Sequence, residues 1–272
     1  MMKITFIGGG NMAGALIGGL MQRGFNPGDI HVVEINADAR ATLTRAFELK
    51  TYAGISAEAV QTDLIVLAVK PQQLCAVAGE LKPLLRRQLV ISIAAGVRAQ
   101  DLARWLGDYA RLVRAMPNTP ALVRAGVTGL YALPKVSAVE RGQAQQVMEA
   151  VGACVWLDEE AQMDAVTAVS GSGPAYVFYF IEALEAAALE LGLSPAQGRE
   201  LALATFLGAA QLARQSHDDP ATLRAKVTSK GGTTERAIQS LEQADVKALI
   251  QRAVRAAAER SRELGDELGK QS

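Results

Sequence analysis

Chemistry-bearing residues are scarce in this chain, and their positions narrow what it can do. The sequence has only two histidines, His31 and His217, and its two cysteines, Cys75 and Cys154, lie far apart in apolar surroundings. A Ser/His/Asp triad or a metal centre is therefore poorly supplied, and neither thiol has the partner base that a nucleophilic cysteine needs. What remains are two glycine-containing stretches able to offer backbone N–H groups to an anion. Gly8, Gly10 and Ala13, in the run KITFIGGGNMAGALIGG from Lys3 to Gly19, fit the G-x-G-x-x-G/A spacing of a turn that holds the pyrophosphate of a dinucleotide. Gly231 and Gly232, in VTSKGGTT (227–234), precede a helix expected to begin at Thr233 or Thr234, with the hydroxyls of Ser229, Thr233 and Thr234 around them. That loop reads as a carboxylate or phosphate pocket, the alternative being an ordinary capped loop. Chemistry here has to come from a cofactor.

The elements around the first turn are those such a turn requires. Ile4 to Ile7 is a short β-rich run, and the helix expected from Asn11 points its free N–H groups and positive dipole end at the turn. Ile30 to Ile35 reads as the second strand of a βαβ unit, with Glu34 about 20 residues past the glycines, where an acidic side chain takes a ribose 2′-hydroxyl. Glu34 locally favours NADH, but Asn36, Arg40 and Arg45 follow closely, so NADPH or NADH stays open. Asp38 to Leu49 is an expected helix, and Ser56 is placed to cap a short one. Asp63 to Val69 is a continuous apolar run, as suits a parallel strand covered on both faces. It ends in Lys70-Pro71-Gln72, a cation and a helix-starting proline at the carboxyl edge where open α/β sheets bind ligands; the alternative is a solvated Lys70. A strand over Leu89 to Ile93 ends in the small residues Ala94-Ala95-Gly96, and further strands are expected over 110–115, 127–131 and 153–157. Prolines bracket Asn118-Thr119 in a rigid turn, and Ser137 with Glu140 forms a capping box.

From Asp158 the alternation stops and the sequence is helical almost throughout, which divides the chain into residues 1–157 and 158–272. Gly171 to Pro174 breaks the helices, and Ser194-Pro195 and Asp245 start later ones. Val177, Ile181, Leu184, Ala188 and Leu191 form an apolar stripe with Glu182, Glu185 and Glu190 off it. Leu201 to Ala210 is apolar nearly all round, which predicts burial against a second subunit, or else a helix central to its own domain. Lys plus Arg and Asp plus Glu each total 28 in 272 residues, so no basic field marks the chain for nucleic acid, and a small molecule is the expected partner. Glycines and Asn11 interrupt any signal-peptide core, and no apolar run reaches the roughly 18 residues of a membrane span. A soluble protein with reduced thiols is expected, in the cytoplasm.

Taken together, IGGGNMA, LAVKPQ (67–72), AAG (94–96), RAMPNTP (114–120), SGSGPAYVF (170–178) and VTSKGGTT resemble, in order, the motifs of the pyrroline-5-carboxylate reductase family. The resemblance covers essentially the whole chain, and the last three motifs together are specific. It implies an α/β N-terminal Rossmann-like doubly wound sheet followed by an all-α C-terminal dimerisation domain, in a homodimer or a larger ring of dimers. It implies reduction of 1-pyrroline-5-carboxylate to L-proline, the last step of proline biosynthesis, with NADPH or NADH. Gly8, Gly9, Gly10, Asn11, Met12 and Ala13 would hold the pyrophosphate, Ser56 would approach the adenosine, and Ala68, Val69, Lys70, Pro71, Ala94, Ala95 and Gly96 would line the groove. The substrate carboxylate would sit on N–H groups around Gly232 and Thr233, helped by Ser229, and the catalytic Thr234 would hydrogen-bond the ring nitrogen. Lys230 stands where many relatives carry proline, and His217 where some carry an acidic residue. Two rivals share the cofactor turn: a reductase of another imine or small keto acid, and a dinucleotide sensor without chemistry.

Overall fold

The computed structural model describes residues 2–270. Strand β1 (Ile4–Ile7) is buried throughout and runs through the glycine turn into α1 (Asn11–Gln22). Next come β2 (Ile30–Val33), α2 (Ala37–Phe47), β3 (Lys50–Tyr52), β4 (Leu64–Leu67), α3 (Leu74–Leu81), β5 (Leu89–Ser92), α4 (Ala99–Trp105) and β6 (Leu112–Met116). The expected helix over 38–49 stops at Phe47 because Glu48 turns left-handed at φ 57°. Strand β3 is three residues at a sheet edge, too short to leave a periodic signal, and the sequence reading passes over it. Ser56 caps a turn rather than a helix, its Oγ accepting from Ala59 N–H at 3.2 Å.

After β7 (Gly126–Ala132), α5 (Ala138–Met148) begins with the expected box: Ser137 Oγ accepts from Glu140 N–H, and the Glu140 carboxylate accepts from Ser137 N–H. Strand β8 (Gly152–Trp156) then closes one edge of an eight-stranded sheet of order β3-β2-β1-β4-β5-β6-β7-β8. Among the described residues only the β6–β7 pair is antiparallel. In register, Ile4 faces Ile30 on one side and Leu64 on the other. From β1 the chain adds β2 and β3 on one side and then crosses to add β4 and the later strands on the other, so the glycine turn lies at the switch point of a doubly wound sheet.

The remaining elements are helical: α6 (Gln162–Val166), a π-helical turn over 167–171, α7 (Gly173–Glu190), α8 (Pro195–Gln215), α9 (Pro220–Lys226), α10 (Thr233–Gln243) and α11 (Val246–Gly269). Ser194 and Gln197 make a second capping box at α8, while Asp245 turns left-handed at φ 52° between α10 and α11. Two compact units result, one holding the described residues up to Ser172 and from Ala257 on, the other Gly173–Ala256. The sheet core, including Phe6, Leu16, Ile17, Leu64 and Ile65, lies in the first. The end of α11 belongs there too: Ser261 Oγ donates to Asp164 at 2.7 Å, Arg98 pairs with Asp266 at 2.6 Å, and Leu268 joins the core. In the second unit only Ile181, Gly198 and Ala202 are buried. Helices α7 and α8 pack closely at Gly198, where a Cβ would meet that of Ala188 at 3.0 Å. No helix among the described residues is long and apolar enough to cross a membrane.

Candidate functional site

The small residues of the first turn occupy three different environments. Gly8 has φ +101°, and a Cβ there would stand 2.6 Å from the Ala68 carbonyl oxygen, so glycine lets β1 and the end of β4 close together. Its N–H donates to the Val33 carbonyl at 2.8 Å. Gly9 donates to Glu34 Oε2 at 2.9 Å, and a Cβ on it would meet Leu43 Cδ1 at 2.5 Å. Gly10, at φ −71° and ψ −176°, faces open space, with nothing within 4 Å of a built Cβ. Ala13 is buried where α1 meets the sheet. The N–H groups of Asn11, Met12 and Ala13 find no acceptor among the described residues, and the first turn of α1 has neither an acidic side chain nor a side-chain cap. Tight turn, open approach, close packing and unsatisfied N–H donors fit a dinucleotide pyrophosphate.

Beside this turn lies a cavity of about 650 Å³ lined by Gly8, Gly9, Gly10, Glu34, Ala68, Val69 and Lys70, together with Asn36, Gly54, Ile55 and side chains from α3. The Glu34 carboxylate is held by the N–H groups of Gly9 and Asn36, the second at 2.8 Å. Arg40 turns away, its Nη1 donating to the carbonyls of Glu34 at 2.6 Å and Ile35 at 2.9 Å. Ser56 and Pro71 adjoin lining residues without lining the cavity themselves. Ala94, Ala95 and Gly96 follow β5 outside that lining; Ala94 is buried, and Gly96, at φ +77°, faces Leu264 and Leu268 of α11. Gly54 and Ile55 escape a motif search; their one sequence signal is a glycine shortly before Ser56.

The second loop, in the other unit, joins α9 to α10. Thr228 Oγ1 donates to the Arg224 carbonyl at 2.6 Å, closing α9. Gly231 takes φ +74°, and its N–H donates to Glu235 Oε2 at 2.7 Å. Gly232 donates to the Ser229 carbonyl at 3.0 Å. The N–H groups of Thr233 and Thr234 open α10 without an acceptor among the described residues, and the hydroxyls of Ser229, Thr233 and Thr234 are likewise without one. Lys230 is exposed beside them. The turn can thus receive one anion on two N–H groups with hydroxyls at hand. Glu235, absent from the sequence reading, braces the turn; its signal is a carboxylate at the third position of a helix.

Other motifs meet within the first unit. Asn118 Nδ2 donates to the Ser170 carbonyl at 3.1 Å, and its Oδ1 accepts from Val127 N–H at 2.9 Å. Buried Arg114 donates to Glu160 at 2.9 Å, and that carboxylate also accepts from Ala99 N–H at 2.6 Å. RAMPNTP and the start of SGSGP are therefore in contact. Both cysteines are free, and burial pushes the Cys154 thiol up to about 11, far from a nucleophile's range. His217 is exposed.

Comparison with known proteins agrees along the whole length. Residues 160–264 match the family described as pyrroline-5-carboxylate reductase dimerisation, and residues 3–96 match NADP oxidoreductase coenzyme F420-dependent. A pyrroline-5-carboxylate reductase of Pseudomonas aeruginosa is 47% identical over 268 residues, covering 98% of each chain. The structure of one from Coxiella burnetii superposes with a TM-score of 0.92 at 43% identity, covering 97% of this chain and 98% of that one. The pyrroline carboxylate reductase of Plasmodium falciparum, solved with NADP bound, gives 0.86 at 30% identity over 97% and 98% of the two chains.

Proposed function

The chain belongs to the pyrroline-5-carboxylate reductase family, and from that premise we propose that it reduces 1-pyrroline-5-carboxylate to L-proline, the last step of proline biosynthesis, with NADPH or NADH. The observation that carries this reading is the 47% identity to such a reductase over 268 residues, 98% of each chain. At residue level the glycine turn and the VTSKGGTT loop support it.

The reduced nicotinamide supplies the hydride for the C=N carbon of the cyclic imine. The chain's own residues bind and orient. Gly8 to Ala13 take the pyrophosphate on the open N–H groups at the start of α1. The N–H groups of Thr233 and Thr234, with the Ser229 hydroxyl, take the substrate carboxylate. The Thr234 hydroxyl bonds the ring nitrogen, donating or accepting as that atom passes from iminium to amine. A protonated imine is already electrophilic, so no strong base is required, in keeping with two histidines in 272 residues. Positioning the reactants is the protein's main contribution.

The division of labour we propose is a dinucleotide-binding domain of residues 1–157 and a helical dimerisation and substrate-binding domain of residues 158–272. The assembly is a homodimer, able to gather into a ring of dimers. Its support is the second unit's surface: Phe178 is 58% exposed, Leu191 84%, Leu201 56% and Leu207 62%, more apolar surface than a monomer leaves open. The two free thiols suit a reducing cytoplasm. The test is loss of reduced-nicotinamide absorbance on mixing the protein with pyrroline-5-carboxylate, run with NADPH and with NADH. Rapid oxidation supports the reading; no oxidation with either, by folded dimeric protein, overturns the substrate assignment.

A further inference from the structure

We propose that this chain selects NADH over NADPH and that Glu34 sets the choice. The inference rests on the reading that the glycine turn holds a nicotinamide dinucleotide, and it decides what the sequence leaves open. Glu34 lines the cavity beside the turn, with its carboxylate fixed by two backbone donors, Gly9 N–H at 2.9 Å and Asn36 N–H at 2.8 Å. Only glycine leaves this contact room, because a Cβ at Gly9 would stand 3.3 Å from Glu34 Oε2 and 2.5 Å from Leu43 Cδ1. A carboxylate so held does not swing aside for an incoming anion. It offers about four acceptor sites, of which two are occupied, so the remaining ones can accept from ribose hydroxyls. A 2′-phosphate in the same place would bring about −1.5 to −2 charges against it.

The cation that sequence proximity suggests as a remedy is turned elsewhere. Arg40 donates to the carbonyls of Glu34 and Ile35 and does not line the cavity, nor does Arg45. The titratable groups that do are Glu34, Glu80 and Lys70, and Lys70 stands past the end of β4, which β1 separates from β2, the strand that Glu34 follows. The ribose end of the groove therefore carries a fixed negative charge with no arginine facing it.

The test is direct binding without substrate: titration of the protein with NADH and with NADPH, followed by nucleotide fluorescence and by calorimetry. NADH should bind at least tenfold tighter, and added salt should narrow the gap because the discrimination is charge repulsion. Glu34→Gln should shrink the ratio at least fivefold, chiefly by tightening NADPH. Arg40→Ala should leave the ratio unchanged, whereas an arginine that holds a 2′-phosphate would lose NADPH selectively. Equal or tighter binding of NADPH by the unaltered protein overturns the proposal whether or not the variants fold, as does an unchanged ratio in folded Glu34→Gln. Failure of both nucleotides to bind would instead sink the dinucleotide reading itself.

Discussion

Gly10→Ala separates the demands of a ligand from those of the fold. At φ −71° and ψ −176° the backbone of Gly10 is open to alanine, and the new methyl would meet nothing within 4 Å. Loss of chain entropy in the unfolded state favours alanine by about 0.4–1 kcal/mol. Gly10 is also the residue that caps α1, where alanine is worse than glycine by a similar amount, so the two effects nearly cancel. Unfolding temperature should therefore stay within about 2 °C of the unaltered protein. Binding should not. On the proposed reading the pyrophosphate approaches the N–H groups of Asn11, Met12 and Ala13 through the open space above Gly10, and a methyl there would hold it off. Losing one hydrogen bond to a charged acceptor removes about 1.5–3 kcal/mol, or roughly tenfold to a hundredfold in Kd. NADH titration by fluorescence, paired with a thermal scan, reads both quantities. Gly8→Ala is the contrasting control, because φ +101° and a 2.6 Å approach to the Ala68 carbonyl oxygen should lower stability and affinity together. A Gly10→Ala protein with unchanged melting and unchanged Kd would refute the assignment of this turn to the pyrophosphate.

Thr234→Ala should lower turnover of pyrroline-5-carboxylate about tenfold, the effect of about 1.4 kcal/mol of transition-state hydrogen bonding, with unchanged melting because the side chain is exposed; unaltered steady-state kinetics would remove Thr234 from the mechanism. Leu207→Glu puts a charge on the exposed apolar face of α8 and should shift the protein to monomers by light scattering, and an intact dimer would show that this face is not the interface. Burial pushes the Glu140 carboxyl up, but hydrogen bonds from Ser137 and the nearby Arg111 outweigh it and hold the group below its ordinary 4.5. The stabilisation is therefore complete above the unfolded carboxyl's pKa and is lost as pH falls through the depressed folded one. Glu140→Gln should cost about 1–2 kcal/mol at neutral pH and flatten the acid limb of the stability curve, whereas parallel curves in urea would contradict that account.

Much of the fold is written in local terms. Short runs such as Leu64–Leu67, and Ile4–Ile7, apolar but for Thr5, are satisfied with both faces covered, which is the condition of a parallel strand between helix layers. The box of Ser137 with Glu140 forms as its spacing predicts, and Ser194 with Gln197, read from the sequence only as a helix start, joins groups three residues apart in the same way. The glycine turn is legible for the same reason, since Gly8 answers to sterics that only a residue without Cβ meets. Strand β3 and the antiparallel setting of β7 are not legible, because three residues carry no period and strand direction depends on partners far along the chain.

What the sequence determined by itself was therefore the placing of two glycine turns ahead of helices, the alternation that builds the sheet, the shift to helices, and a stretch of α8, Leu201 to Ala210, that is apolar nearly all round. Tertiary structure decided which donors those turns leave open. Gly232 N–H closes onto Ser229 and Gly231 N–H onto Glu235, leaving the N–H groups of Thr233 and Thr234 open. It also decided that Arg40, six residues from Glu34, bonds backbone carbonyls and does not line the cavity beside the glycine turn. Arg114 meets Glu160 46 positions on, and Arg98 meets Asp266 168 positions on. The physical reason is common to all of these. Sterics and hydrogen bonding within a few residues act in any conformation of the chain, whereas the direction of a long side chain, and any contact across the chain, is settled only by the packing that surrounds it.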